Sequence, residues 1–311
     1  MNQPVFSPVL IVTYGRLEHL QKTIHTLKEN IYAENTDLYV ASDFQKTDAD
    51  AESVKAVRDY LKHIDGFMTV TIFEREHNYG PAENTFAALD VIYGKHDRVI
   101  IMNDDIVTAP GFLKFINESF EKYAENEQVF SISGYCPPIQ IPSNYRYDAF
   151  FLPRMSAWGC GLTKDRYESV GPIGQKEYDE FAADEARRNA FINGGGSDML
   201  LMLKRVAYGL LEAWDVRCMY TQFINNQYTI YPAQSLVQNI GFDGTGINCG
   251  KNNKFDVALG SKTTFRFPER VKVDQRIVKE NREFRDGVPE RLNISKRILR
   301  KIKGILELFL K

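Results

Sequence analysis

An α/β fold on a mostly parallel sheet, with helices covering both faces, is what the 311-residue sequence predicts from three features. Short β-branched runs alternate with amphipathic stretches over the first half, in units of roughly 30 residues, as strand-helix-strand crossovers require. Thr13 to Arg16, Asp43, Asn78 and Asp104-Asp105 each fall just after one of those runs. In such sheets ligands bind off the carboxyl ends of the strands, so these residues should converge on one crevice. The composition suits a packed domain: 43% of residues are hydrophobic, and 39 Lys and Arg nearly balance 41 Asp and Glu, for a net charge of -2. A disordered chain would lack that apolar content, and a general nucleic-acid binder would carry a basic excess.

Val9 to Tyr14 reads as the first strand, and Leu17, Leu20, Ile24 and Leu27 give the following helix its apolar stripe. Asp37 to Ser42 is the second strand, ending in Asp43. Asp48 to Ile64 follows as an amphipathic helix with Val54, Val57, Leu61 and Ile64 on one side. Met68 to Phe73 alternates as a third strand. Asn78-Tyr79-Gly80-Pro81 is a turn leading into a helix through Phe86, Leu89 and Ile92. Arg98 to Met102 forms the fourth strand and runs directly into Asn103-Asp104-Asp105. Pro110 opens the next helix at a permitted first-turn position, and Val129 to Ser133 is a fifth strand.

Beyond about Cys136 the alternation gives way to Pro-, Gly- and aromatic-rich sequence, and an irregular half is expected there. Within it Asn193 to Ser197 reads as the lead-in loop of a helix from Met199 to Gly209. The polar stretch Asn239 to Gly246 reads as a binding or mobile loop. Arg154 and Trp158, in the segment RMSAWGCG, offer either an acceptor floor, since a Trp face packs against sugar C-H groups, or ordinary core.

Adjacent carboxylates at the end of a buried strand repel each other and lose hydration, and a divalent cation offsets that cost. Hard oxygen ligands such as Asp104 and Asp105 suit Mg²⁺ or Mn²⁺, which in turn binds a diphosphate. The bland alternative is an exposed Asp pair capping a turn. The five histidines all lie in the first hundred residues, none beside a plausible nucleophile, so a Ser-His-Asp mechanism finds no support.

The segment Asn103-Asp104-Asp105-Ile106-Val107-Thr108-Ala109-Pro110-Gly111-Phe112 resembles the metal-binding acidic segment of GT-A glycosyltransferases, above all that of the N-acetylglucosaminyltransferase I family. The resemblance runs over roughly residues 8 to 250: Val9 to Arg16 is similar to that family's first strand and its following Arg, and Asp43 to the Asp ending the second. Trp214-Asp215 resembles the Trp-Asp holding the catalytic base, and Tyr231-Pro232 with Gly241 to Gly246 the segment closing over the donor. Asn78, Gly80 and Asn84 are similar to the N-x-G-x-x-x-N turn of bacterial family-2-like glycosyltransferases.

The resemblance implies a Rossmann-like GT-A fold. It implies Thr13, Arg16, Asp43 and Asn78 as donor-binding residues and Asp105 as metal ligand, with Asp104 on the sugar or ribose and beside the metal. Asn103 replaces the family's leading Glu and loses a charge there. Asp215 is the implied base of an inverting transfer, with a helix cap or an Arg217 partner as its structural alternative. Asp198 is the second candidate base, otherwise a helix cap, and Trp158, Asp198 and Trp214 are acceptor-side candidates.

Residues 294–311 place Ile294, Ile298, Ile302, Ile305 and Phe309 on one helical face and carry six Lys or Arg against Glu307 alone. A helix of this kind suits an anionic membrane surface, or else docks on its own domain or a partner subunit. The N-terminus shows no leader pattern, and Cys136, Cys160, Cys218 and Cys249 show no metal or disulfide spacing, so a cytoplasmic enzyme with reduced thiols, peripheral on the inner membrane face, is expected.

The expected whole is a glycosyltransferase domain over residues 1–265, with a nucleotide-sugar half (1–135) and an acceptor half (136–265), and a helical tail over 266–311. Its expected activity is metal-dependent inverting transfer from a UDP-linked sugar to a saccharide or lipid-linked saccharide in surface polysaccharide assembly, capsule or O-antigen, with no nucleic-acid partner. A nucleotidyltransferase on a similar sheet and a non-catalytic carbohydrate-binding module are the alternatives.

Overall fold

A computed structural model describes residues 6–245 and 250–287. The first half follows the predicted alternation: β1 (Val9–Thr13), α1 (Leu17–Lys28), β2 (Asp37–Ser42), α2 (Ala51–Leu61), β3 (Thr69–Glu74), α3 (Pro81–Tyr93) and β4 (Arg98–Asn103). A three-residue strand β5 (Ile106–Thr108) precedes α4 (Phe112–Tyr123) and β6 (Val129–Ser133). Three residues are too few for alternation to be legible, so β5 left no trace in the pattern. Pro110 and Gly111 precede α4 rather than opening it.

The second half is more regular than expected as far as β10, whereas the described residues between β10 and α10 carry no helix or strand. It supplies β7 (Ala149–Leu152), β8 (Cys160–Thr163), α5 (Lys164–Glu168), α6 (Gln175–Ala183), α7 (Glu185–Gly195), α8 (Asp198–Ala207), α9 (Trp214–Ile224), β9 (Tyr228–Pro232), β10 (Val237–Asn239) and α10 (Gln275–Asp286). Its strands are short and buried on both faces, as with AFFL in β7, so the two-residue period that marks half-exposed strands is missing. Asn193 to Gly195 close α7 instead of forming a loop, and only Gly196, at φ 108°, and Ser197 separate it from α8.

The eight-stranded sheet has the order β3-β2-β1-β4-β8-β6-β9-β7. Strands β3, β2, β1 and β4 are mutually parallel, as are β6 and β9, whereas β8 runs antiparallel to both β4 and β6, and β7 to β9. A separate antiparallel pair joins β10 to β5.

Strand alternation sorts the core onto two faces. Val9 and Ile11 of β1 and Leu38 and Val40 of β2 point to one face, against Leu20, Ile24 and Leu27 of α1, Val57 of α2 and Phe112, Phe115 and Ile116 of α4. Leu10, Tyr39 and Ala41 point to the other, against Leu89 and Ile92 of α3, Leu203 of α8 and Val216 of α9. The expected division at residue 265 falls in a packed stretch. Phe265 and Phe267 both rest on Phe115, and Ile277 and Val278 of α10 join Phe150 and Tyr231 in a third core cluster. The basic segment 294–311 lies outside the described residues.

Gly161, in the middle of β8, lets α4 approach the sheet: a Cβ there would lie 2.7 Å from the Phe120 ring and 2.8 Å from Ile116. Gly161→Ala is therefore expected to destabilise the fold by about 1–3 kcal/mol, read as a lower urea midpoint with an unchanged slope.

Candidate functional site

Parallel strands β1 and β4 end side by side, with Val12 of β1 opposite Asn103 of β4. Their carboxyl ends therefore deliver Thr13 and Arg16 to the same place as Asn103, Asp104 and Asp105. Asn103 is exposed, whereas Asp104 and Asp105 are buried. Thr13 Oγ1 donates to Asp104 Oδ2 (2.9 Å), and Arg16 Nη2 donates to Asp104 Oδ1 (2.5 Å) and Asp105 Oδ2 (2.8 Å). Backbone bonds fix the pair further: Thr23 Oγ1 donates to the Asp104 carbonyl (2.7 Å), and the Ile240 N-H to that of Asp105 (2.9 Å).

Burial drives the Asp104 carboxyl above its usual range, and the neighbouring Asp105 charge adds to this. Arg16 and the Thr13 hydroxyl pull the other way. The same two carboxylates hold the Arg16 guanidinium more firmly protonated despite its own loss of hydration. Asp105 Oδ1 is buried without a hydrogen-bond partner.

That orphaned oxygen is the test of whether a cation fits. A carboxylate oxygen left bare in the interior is costly unless something cationic faces it. Among the described residues no group of three His, Cys, Asp or Glu is gathered as a metal cage. Mg²⁺ and Mn²⁺ do not need one, because they are commonly held by one or two carboxylates with substrate phosphates completing the shell. The residues present fit such an ion, with Asp105 as its ligand and Asp104 beside it.

The loop after β10 closes this centre. Gly241 lies so near that a Cβ would come within 2.1 Å of Asp105 Oδ2 and 3.0 Å of Arg16 Nη1. His19 of α1 bonds Asp243 across the loop (3.1 Å). Phe242 packs edge-on to Trp158, which also meets Tyr135 and Phe255. Trp158, only partly buried, belongs to the aromatic packing beneath the loop. Tyr231, grouped by its motif with this loop, is instead buried in β9 with its hydroxyl donated to the Arg154 carbonyl (2.7 Å).

Asp43 and Asn78 do meet, as their positions after β2 and β3 predict. The buried Asp43 carboxylate accepts the N-H groups of Phe44 and Tyr79 (both 2.8 Å) and Gly80 (2.9 Å), and the Asn78 amide (3.2 Å). Four donors fill its acceptor sites. It anchors the 78–81 turn rather than presenting a free carboxylate to a nucleotide. Asn84 braces the same turn, donating to the Ala41 carbonyl and accepting from Arg75.

Trp214 and Asp215 begin α9, and Glu212 just before them approaches Gly80 of the donor-side turn. Asp215 is half-buried, and among the described residues it forms no salt bridge, with Arg217 or any other cation. Its charge is felt by Cys160, which pairs with Ile101 in β4, so Asp215 lies beside the strand that ends in the acidic pair. Dehydration pushes its carboxyl above the usual range, opposed by the Val216 N-H and the positive charge of Arg154.

Asp198 has a different fate. Arg154, itself buried, grips both its oxygens (2.7 and 2.8 Å) and also donates to the Gly195 carbonyl (2.6 Å). Burial opposes ionisation of Asp198, yet the Arg154 bonds leave its carboxyl below the usual range. A carboxylate held bidentate and strongly ionised is a poor proton acceptor, so Asp198 pairs with Arg154 instead of serving as a second base. Sequence reasoning missed Arg285 and Lys254, which lie close to this pair. The cation-aromatic dipeptides Lys254-Phe255 and Phe284-Arg285 were the available signal.

Residues 9–156 match the family model described as Glycosyl transferase family 2, slightly under half of the chain. No curated protein matches the sequence. Among solved structures the chain is similar to S. aureus TarS, at 10% identity and a TM-score of 0.44 over 75% of this chain and 36% of that one. It is likewise similar to residues 1–349 of S. aureus TarS, at 11% identity and a TM-score of 0.42 over 75% of this chain and 60% of that one. The chain thus spans less than two thirds of either, and so distant a likeness carries no argument. The family match falls on the family-2 side of the resemblance, and the likeness to N-acetylglucosaminyltransferase I rests on the motifs alone.

Arg16→Leu removes the guanidinium that bridges two buried carboxylates and is expected to destabilise the fold by up to about 3–5 kcal/mol. The loss should shrink in acid, where Asp104 protonates, as thermal melts across pH will show. Asp215 behaves oppositely. With its folded-state pKa raised, it favours folding below the ordinary carboxylate range and loses that contribution as pH rises. Asp215→Asn should therefore melt higher than the natural chain at neutral pH, with the gap closing in acid.

Proposed function

We propose that the chain, whose residues 9–156 match the Glycosyl transferase family 2 model, is a glycosyltransferase that performs a metal-dependent, inverting sugar transfer with Asp215 as base. The donor is a nucleotide-sugar, UDP-linked by resemblance, and the acceptor is a saccharide or lipid-linked saccharide in surface polysaccharide assembly. The observation that carries this reading is the convergence at the ends of β1 and β4. There Arg16 bridges two buried carboxylates, one oxygen of Asp105 lacks a partner, and Asp215 stands unpaired beside the same strand.

A bound Mn²⁺ or Mg²⁺ would supply counter-charge to the donor diphosphate. The chain's own groups account for the rest. Arg16 offers the diphosphate a guanidinium already oriented by Asp104, and exposed Asn103 presents an amide toward the donor where the resembled family carries Glu. The Asp215 carboxylate accepts the acceptor hydroxyl proton as that oxygen attacks the anomeric carbon. The bond from that carbon to the diphosphate oxygen breaks with its electron pair on the leaving group, and the configuration inverts. A raised carboxyl pKa improves the match between base and hydroxyl. Among the described residues no helix is long and apolar enough to cross a membrane. The basic, amphipathic sequence of residues 294–311 is the part of the chain proposed to meet a lipid-borne acceptor.

A panel of nucleotide-sugars assayed for slow hydrolysis without acceptor identifies the donor, after which transfer can be followed. Asp215→Asn should lower the transfer rate by about 10²-fold or more while leaving donor affinity unchanged. Undiminished transfer by that variant would remove Asp215 as base. The pH profile of the natural chain should fall off in acid with an apparent pKa above that of an ordinary carboxylate.

A further inference from the structure

A second charged centre adjoins Asp215 from the other side. Arg154, which lowers the Asp215 carboxyl through its charge, is bound bidentate to Asp198 at the start of α8. Over the glycine junction between α7 and α8 lies Arg285 of α10, its stem so close to Gly196 that a Cβ there would meet it at 2.7 Å. The Arg285 guanidinium rests over the rings of Phe255 (5.6 Å) and Phe284 (5.5 Å). Lys254, exposed, places its ammonium over the same two rings and donates to the Arg285 carbonyl (3.2 Å).

Three cations thus face two carboxylates, and neither carboxylate is available to Arg285. Asp198 is held by Arg154, and Asp286, at the exposed end of α10, accepts the Ser197 N-H (2.7 Å). Arg285 Nε is buried without an acceptor, and among the described residues no side chain or carbonyl accepts from its other nitrogens. The loss of hydration and the charge of Arg154 push Arg285 down to about 10, against the pull of Tyr231, Asp198 and Tyr135. They lower Lys254 as well, through burial and through Arg285. Ring faces offset part of the cost of dehydrating a guanidinium, but they do not satisfy its N-H fork. A planar, five-donor cation left in this state is matched to a carboxylate or phosphate. Aromatic contact runs from it, through Phe255 to Phe242, to the loop that covers Asp105.

We propose that Arg285 and Lys254, braced by the Arg154-Asp198 pair and the Gly194 to Ser197 junction, form an acceptor subsite for an anionic group, so that the acceptor is a saccharide bearing phosphate or carboxylate. Its meaning as an acceptor site rests on the transferase reading. The binding it predicts is measured without donor, so the two fail separately.

The test is calorimetric titration of the full chain with glucose 6-phosphate, glucuronate and glucose. The expected result is that one or both charged sugars bind about tenfold or more tighter than glucose, the size of one charge-assisted hydrogen-bond pair. A preference for the phosphate alone or the carboxylate alone identifies which group the acceptor carries. Arg285→Gln should erase the preference, Arg285→Lys should keep part of it, and Asp105→Ala should leave it intact. Exposed Lys254→Gln should weaken it several-fold, which keeps the test decisive if Arg285→Gln fails to fold. Equal binding of all three sugars overturns the proposal. So does a preference that survives both Arg285→Gln and Lys254→Gln, or one abolished by Asp105→Ala, which would place the anion at the diphosphate site.

Discussion

Two carboxylates at the end of a buried strand are stable only if something positive faces them, and in this chain that is Arg16. Its guanidinium bridges Asp104 and Asp105 from the first residues after β1, so the bridge exists only because β1 and β4 are adjacent and parallel. The surrounding structure follows from that requirement. Thr13 and Thr23 bond Asp104, β5 and β10 turn the chain back at Asp105, and the β10 loop seats Gly241 where no side chain would fit. One oxygen of Asp105 stays bare, and it is the feature that an apolar or capping role for the pair leaves unexplained.

The cluster around Arg154 and Asp198 is organised on a different principle. Around the acidic pair one guanidinium faces two carboxylates, and one oxygen stays bare. Around Arg154, Asp198, Lys254 and Arg285 charge is unmatched toward the positive, with aromatic rings in place of counter-ions. Asp215 lies between the two, half-buried and unpaired. Its raised pKa follows from dehydration, which the Val216 N-H and the more distant charge of Arg154 offset only in part. Stability is surrendered at this carboxylate, as is common where a group must exchange a proton.

Much of the first half was legible because its strands and helices have the lengths and periods that pattern reading detects. Strand β2 falls on the predicted residues, and Thr13, Arg16, Asp104 and Asp105 meet where the carboxyl-end rule puts them. Side-chain roles were less legible than places. Asp43 and Asn78 were located correctly, but four donors turn Asp43 inward as a turn anchor, and nothing in a sequence counts donors. In the second half, short strands buried on both faces carry no two-residue signature, so β7, β8 and β9 were read as irregular. Arg285, taken as part of a tail, packs beside the site because α10 folds back on β7 and β9 through Ile277 and Val278.

Asp105 is the proposed meeting point of a cation and a diphosphate. Calorimetric titration of the full chain with a nucleoside diphosphate, with and without Mn²⁺, addresses it in the natural chain and in Asp105→Asn. The account predicts binding strengthened several-fold by Mn²⁺ in the natural chain and no such gain in the variant. Equal affinity with and without Mn²⁺, or a gain that survives Asp105→Asn, would contradict it.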